Sequence, residues 1–232
     1  EAASLLRMTK ALGFVPGIAV HVGSQCRDPE DYFRALCLAA YVRDAAGVAV
    51  DTINVGGGFP AFYPGAAVPP LEAYIKRIRD GVREYGFGES RLQCESGRAL
   101  AADGCSILAQ VHLRKGHALY INDGIFGNLC EMVYLKLRVP MRAYRGADPV
   151  PGPDAEFTLY GPTCDPVDVL PGVWLLPEGI QEGDWIEVGQ TGAYSSSIAT
   201  RFNGFATETF IELDEPPFWM ADDRAAIGLR IA

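Results

Sequence analysis

Residues 51–60, DTINVGGGFP, read as a short apolar strand that runs directly into three successive glycines. Thr52, Ile53 and Val55 are β-branched and favour extended chain. Glycine is the residue that allows a tight turn or a close backbone approach to a ligand. A second run of this kind lies upstream, GIAVHVGS (17–24), and a third downstream, RLQCESGRAL (91–100). Between them, DPEDYFRALCLAAYVRDAAG (28–47) opens on an Asp-Pro start signal and continues with helical periodicity. PPLEAYIKRIRDGVREYG (69–86) is a second amphipathic stretch. Strand, helix, strand, helix, strand at this spacing predicts parallel strands joined by crossover helices. In such folds ligands bind at the C-terminal ends of the strands. Those ends carry His21-Val22-Gly23-Ser24, Gly56-Gly57-Gly58 and Glu95-Ser96-Gly97-Arg98.

From about residue 106 the rhythm changes. CSILAQVHLRKGHALYINDG (105–124), LKLRVPMRAYR (135–145), AEFTLYGPTC (155–164) and GDWIEVGQTGAYS (183–195) are β-rich runs divided by Gly and Pro turns. They predict an all-β, antiparallel, barrel-like region. The expected organisation is therefore α/β over 1–105 and all-β over 106–232. Three parallel strands cannot close a barrel, and an open three-stranded sheet leaves its edges uncovered. Residues 1–105 are accordingly expected to be the last part of a larger α/β domain.

Composition narrows the function classes. A formal charge of −9 opposes non-specific binding to nucleic acid, which depends on neutralising phosphates. No run of about 18 uninterrupted apolar residues occurs, so no membrane span is expected. The six cysteines form no CxxC and do not pair with the three histidines at metal-site spacing, so reduced thiols, a cytoplasmic setting and no metal are expected.

Each candidate side chain has two readings. The glycines 56–58 cradle a phosphate or form a bulge. His21 lies flat on an aromatic ring or fills an apolar strand, and Ser24 donates to an anion. Glu95 pairs with Arg98 or with a protonated ligand nitrogen, since a buried carboxylate needs a positive partner. Tyr194, in GQTGAYSSS, points its hydroxyl at an anion or packs at a barrel corner. Asp123 and Glu131, around the glycine-broken NDGIFGNLCE, are expected to be solvated loop acids. In GPTCDPVDVLPG (161–172), Pro162 and Pro166 stiffen a loop that fixes Cys164 and Asp165.

The order HVGSQ, NVGGGFP, CESGR, YINDGIFG, GPTCDPVD and GAYSSSIATRFNGF resembles the fold-type III pyridoxal-phosphate decarboxylases, the ornithine, lysine, diaminopimelate and arginine enzymes related to alanine racemase. The likeness runs over essentially the whole chain and is nearest to the bacterial ornithine/lysine type. It implies the end of an alanine-racemase-like TIM barrel followed by a C-terminal β-barrel or sandwich domain. It further implies pyridoxal 5′-phosphate as cofactor, L-ornithine or L-lysine as substrate, and a diamine and CO2 as products, the chemistry of polyamine biosynthesis.

Residue by residue, the resemblance gives His21 the stacking role on the pyridine ring. Ser24, Gly56, Gly57, Gly58, Gly97, Arg98 and Tyr194 fall to the phosphate. Glu95 keeps the ring nitrogen protonated. Cys164 protonates Cα after CO2 leaves, and Asp165 receives the distal ammonium. In this family that loop enters the active site of a neighbouring subunit, which implies a homodimer.

The sequence departs from the family in three places. Ser96 stands where the family has proline in its Glu-Pro-Gly-Arg motif. Leu135 follows Tyr134 where eukaryotic ornithine enzymes carry a specificity aspartate, which leaves Glu131 as the candidate second acid. None of Lys10, Lys76, Lys115 or Lys136 has the context of the lysine that holds the cofactor covalently. A partner segment carrying that lysine, the N-terminal part of the same enzyme, is therefore expected. The runners-up are a diaminopimelate decarboxylase, a racemase relative, or a non-catalytic paralogue that binds a protein partner.

Overall fold

The structure, a computed structural model, describes residues 1–220; residues 221–232 of the β-rich region lie outside the described residues. The chain divides into two units, one of residues 1–62 with 66–100, the other of 63–65 with 101–232.

The first unit contains α1 (Ala2–Ala11), β1 (Gly17–Ala19), α2 (Glu30–Ala46), β2 (Thr52–Asn54), α3 (Leu71–Glu84) and β3 (Arg91–Gln93), with the short helix α4 (Arg98–Ala101) following. The strands lie in the order β1-β2-β3, all parallel. Gly17, Thr52 and Arg91 are in register at one end, and Ala19, Asn54 and Gln93 at the other. The three predicted strands are present but shorter than their apolar runs, because the chain leaves the ladder as soon as the glycine-rich ends begin.

Local chemistry explains the helices. Glu30 and Asp31 in the first turn of α2 oppose the helix dipole. Gly47 ends the helix at φ 63°, its amide bonded to the Arg43 and Asp44 carbonyls. Gly81 lets α3 close on α2, since a Cβ there would meet Leu36 Cδ1 at 2.7 Å. Tyr32, Leu36, Ile53, Tyr74 and Phe87 are fully buried between helices and sheet. Each such side chain contributes about 1.5–3 kcal/mol. Tyr32 stacks on Phe59 with ring centroids 4.9 Å apart. Helices cover one face only. Gly17 and Ala19 of β1 and all of β3 are exposed, and among the described residues each edge strand has one unpaired side.

The second unit is a seven-stranded sheet of β4 (Ile107–Lys115), β5 (Ala118–Ile121), β6 (Met141–Arg145), β7 (Asp148–Pro149), β8 (Asp154–Tyr160), β9 (Trp174–Pro177) and β10 (Trp185–Val188), with α5 (Glu131–Leu135) inserted after β5. The order is β7-β6-β10-β4-β5-β8-β9. β4 pairs with β10 over its first half and with β5 over its second, and the register shifts between Val111 and Leu113. Such a bulge bends a strand and lets one long strand serve two neighbours. Ala109, Val111, Leu119, Ile121, Phe157, Leu159, Ile186 and Val188 are buried with the period-2 alternation of a one-sided sheet. The sheet curls until β6 and β9 touch without forming a ladder. One pair departs from the predicted antiparallel arrangement: β5 and β8 run parallel, Ala118 opposite Thr158 and Tyr120 opposite Tyr160. Among the described residues no helix is long and apolar enough to cross a membrane.

Candidate active site

In the first unit the parallel register brings the ends of all three strands to one edge. Gly56 (φ 71°) and Gly58 (φ 97°) sit in the left-handed region that glycine tolerates. Side chains are excluded here by contact as well. A Cβ at Gly56 would collide with the Val20 carbonyl, one at Gly57 would lie 2.7 Å from the Glu95 carbonyl, and one at Gly58 would strike the Gly23 carbonyl. The glycines thus let the three loops lie against one another. The Gly57 and Gly58 amides have no hydrogen-bond partner among the described residues, which suits an anion. The buried Tyr32 hydroxyl donates to the Gly57 carbonyl at 2.9 Å and fixes the loop from behind.

The flanking side chains are placed by the same loops. His21 Nδ1 accepts the Gly23 amide at 2.9 Å, so a neutral ring carries its proton on Nε2. That Nε2 is the side-chain atom nearest the Cβ that Gly57 lacks, at 3.1 Å. Asn54 ties two strand ends together: its Oδ1 accepts the Gly56 amide at 2.8 Å and its Nδ2 donates to Glu95 Oε1 at 3.0 Å. The Arg98 guanidinium is 4% exposed and donates to Ser24 Oγ from Nε (3.4 Å) and Nη2 (3.3 Å). His21, Ser24, the three glycines, Glu95 and Arg98 therefore share one edge, with Gly97 beside them. A phosphate-bearing aromatic ring fits this set, with amides and a guanidinium for the anion, an imidazole for the ring face and a carboxylate for a ring N–H.

In the second unit, β5 and β8 are parallel neighbours, so the loops that follow them leave the same edge. Residues 122–128 follow β5 and residues 161–168 follow β8. Asp168, 3% exposed, accepts the Ile125 amide at 3.0 Å, the Thr163 amide at 3.1 Å and the Thr163 hydroxyl at 2.7 Å. A Cβ on either Gly124 or Gly161 would run into its carboxylate. Asp123 is not the solvated loop acid expected from the sequence: it is 8% exposed and accepts the Gly124 amide (2.7 Å), the Asn128 amide (3.0 Å) and Asn128 Nδ2 (2.6 Å). Burial pushes its carboxyl up, and the donors of Asn128 and Gly124 oppose the shift.

Cys164 lies exposed on the loop so anchored, with Asp165 half-buried beside it. The Asp165 Oδ1 accepts the Val167 amide at 3.0 Å, an Asx turn that stiffens the segment between the two prolines. Tyr194 follows β10 at φ 54°, a conformation rare for a non-glycine residue and associated with functional sites. Its segment is fastened by the Thr191 and Gly192 amides, which donate at 3.0 Å to the Cys105 and Ala102 carbonyls. Glu131 begins α5 and is half-buried. A cavity of about 180 Å³ lies among Asp123, Asn128, Thr163, Asp168, Phe202 and Thr207, and neither Glu131 nor Tyr194 lines it. Sequence reading gave no role to Asn54, Tyr32, Asp168, Asn128 or Asn203. Asn54 and Asn203 stood inside the runs NVGGGFP and GAYSSSIATRFNGF, and Asp168 stood four residues from Cys164 in a proline-framed loop, but none of them carried a signal of its contacts.

Residues 1–102 match the family model described as pyridoxal-dependent decarboxylase, pyridoxal binding domain. The ornithine decarboxylase of Caenorhabditis elegans is 31% identical over 83% of this chain and 49% of its own length. The lysine/ornithine decarboxylase of Selenomonas ruminantium is 30% identical, covering 94% of this chain and 56% of its own. Among solved structures, the lysine/ornithine decarboxylase of Vibrio vulnificus complexed with cadaverine is similar with a TM-score of 0.78 and 29% identity, over 92% of this chain and 59% of that one. The chain spans about half the length of the curated relatives it matches.

Proposed function

We propose, from the premise that this chain belongs to the fold-type III pyridoxal-phosphate-dependent decarboxylases, that it forms part of an enzyme converting a basic amino acid, L-ornithine or L-lysine, to a diamine and CO2. Pyridoxal 5′-phosphate is the cofactor. When bound, it would supply an electron sink for the pair left at Cα as CO2 departs. On this reading residues 1–105 are the closing strands of a barrel and residues 106–232 the β domain. The exposed face of the three-stranded sheet and its two unpaired edges support a companion segment, the one that carries the cofactor lysine.

This chain's residues then divide the work. The Gly57 and Gly58 amides, Ser24, Gly97, Arg98 and Tyr194 hold the phosphate. His21 lies on the ring face with Nδ1 locked by Gly23. Glu95 keeps the ring nitrogen protonated, and Asn54 holds that carboxylate in place. Cys164 delivers a proton to Cα in the neighbouring protomer of a homodimer, leaving its sulfur as thiolate to be reprotonated from solvent. Asp165 receives the distal ammonium, with Glu131 as the second acid.

The observation that carries this reading is the shared edge on which His21, the three glycines, Glu95 and the Ser24–Arg98 pair meet. Its test is the full-length enzyme assayed for CO2 release from ornithine, lysine and diaminopimelate, with borohydride trapping of a cofactor–lysine adduct. Release from ornithine or lysine together with the adduct is expected. An adduct without CO2 release from any basic amino acid refutes decarboxylation, and no adduct at all refutes the cofactor site.

A further inference from the structure

The segment 200–204, TRFNG, is built to hold one side chain against the Cys164 loop. Thr200 hooks it to the loop after β5: its amide and hydroxyl both donate to the Phe126 carbonyl, at 2.9 and 2.8 Å. The Thr200 hydroxyl in turn accepts the Phe202 amide at 3.2 Å. The Phe202 ring packs on Phe126 with centroids 4.6 Å apart. Between these anchors and Gly204, Asn203 adopts φ 55° and ψ 18°, the left-handed region in which asparagine is the best tolerated residue after glycine. Its Nδ2 lies 3.2 Å from Cys164 Sγ.

We infer that Asn203 is a positioning residue for Cys164: its amide N–H donates to the sulfur, fixing the thiol's direction and favouring the thiolate left behind when the proton is given up. The inference rests on the role proposed above for Cys164, and it adds a residue that acts only through that thiol. The physical logic is that a hydrogen bond to the charged form of an acid stabilises that form. A sulfur that accepts from Asn203 also keeps its own S–H turned elsewhere, toward whatever it protonates. The charged groups on the segments that carry this contact are Asp165 and Asp168 on the thiol's own loop, Asp123 on the loop after β5 to which Thr200 is tied, and Arg201, which pairs with Glu208 at 3.4 Å. Among the described residues, the Asn203 amide is the hydrogen-bond donor shown for the Cys164 sulfur.

Asn203→Gly keeps the left-handed backbone and removes the donor. Asn203→Asp keeps shape and backbone and replaces the donor with an acceptor. In the full-length enzyme, the rate of iodoacetamide alkylation at Cys164, followed by peptide mass near neutral pH, is expected to fall about threefold in N203G. N203D is expected to fall further. Alkylation of Cys105, in the same unit, serves as the internal reference and is expected to stay unchanged. Alkylation rates at Cys164 equal to wild type in both variants overturn the inference, as does a parallel change at Cys105. Because alkylation needs no substrate, this outcome is independent of the proton-donor role, which fails separately if Cys164→Ala leaves the product distribution intact.

Discussion

The Asp168 carboxylate accepts the Ile125 amide at 3.0 Å, and this bond fastens the loop that bears Cys164 to the loop that follows β5. Two further bonds from Thr163 complete the carboxylate's shell. Its burial is therefore compensated, and breaking the set leaves several buried donors unsatisfied. Asp168→Asn is expected to destabilise the protein by about 2–4 kcal/mol. It should also open residues 161–168 to limited proteolysis. Urea denaturation with the same midpoint and slope as wild type, and no new cleavage, would show that the loop is held by its prolines alone.

Cys164→Ala is expected to slow turnover and divert it to abortive transamination, with the cofactor retained. Cofactor absorbance and the ratio of diamine to aldehyde products check this. An unchanged ratio removes the proton-donor role.

Asp165→Ala takes away a charge but leaves the cofactor loops untouched. KM for ornithine or lysine is expected to rise by about tenfold or more, with kcat reduced less and cofactor affinity unaltered. Steady-state kinetics alongside a cofactor titration distinguish this from a general loss of folding, in which both would fall together.

Gly58→Ala places a methyl group at φ 97° against the Gly23 carbonyl. Backbone strain and contact together are expected to destabilise the first unit by about 2 kcal/mol or more and to weaken cofactor binding at least as much. Thermal denaturation and cofactor titration of the variant test this, and wild-type behaviour in both would mean that the strand ends are not held together as described.

Asp123 gives a pH dependence whose sign follows from its environment. Burial raises the native value above the ordinary 3.8. The native state therefore holds the proton more tightly than the unfolded chain. Its contribution to stability is full below 3.8 and declines as pH rises through the native value. Asp123→Asn is thus expected to cost more stability near pH 4 than near pH 7, measured by urea denaturation at both. A difference that does not change with pH would place Asp123 in solvent.

What the sequence disclosed and what it withheld follow from the range of the interactions. The helices α2 and α3 lie within the stretches 28–47 and 69–86, because apolar periodicity, Asp28-Pro29 and Gly47 are local signals. The meeting of HVGS, GGG and ESGR at one edge was legible because parallel strands in register end together. The parallel pairing of β5 with β8 was not visible, since alternation reports that a segment is a strand and says nothing about its neighbour. Asp123 read as solvated because its burial depends on Asn128 and on which loops share an edge. Asn203 sits inside the run GAYSSSIATRFNGF, but nothing local reports its contact with Cys164, which joins residues 39 apart in sequence.

The parallel pairing of β5 with β8 also decides where the chain can be cut or lengthened. After β5 the chain lays down β6 and β7 at the far edge of the sheet before β8 returns beside β5, and the turn at Gly146, φ 63° with nothing near its absent Cβ, joins β6 to β7 at that edge. A fluorophore, an affinity handle or a pair of new termini grafted there leaves the Cys164 loop where it is. A single residue inserted between Tyr160 and Cys164 would swing the thiol away from its hold.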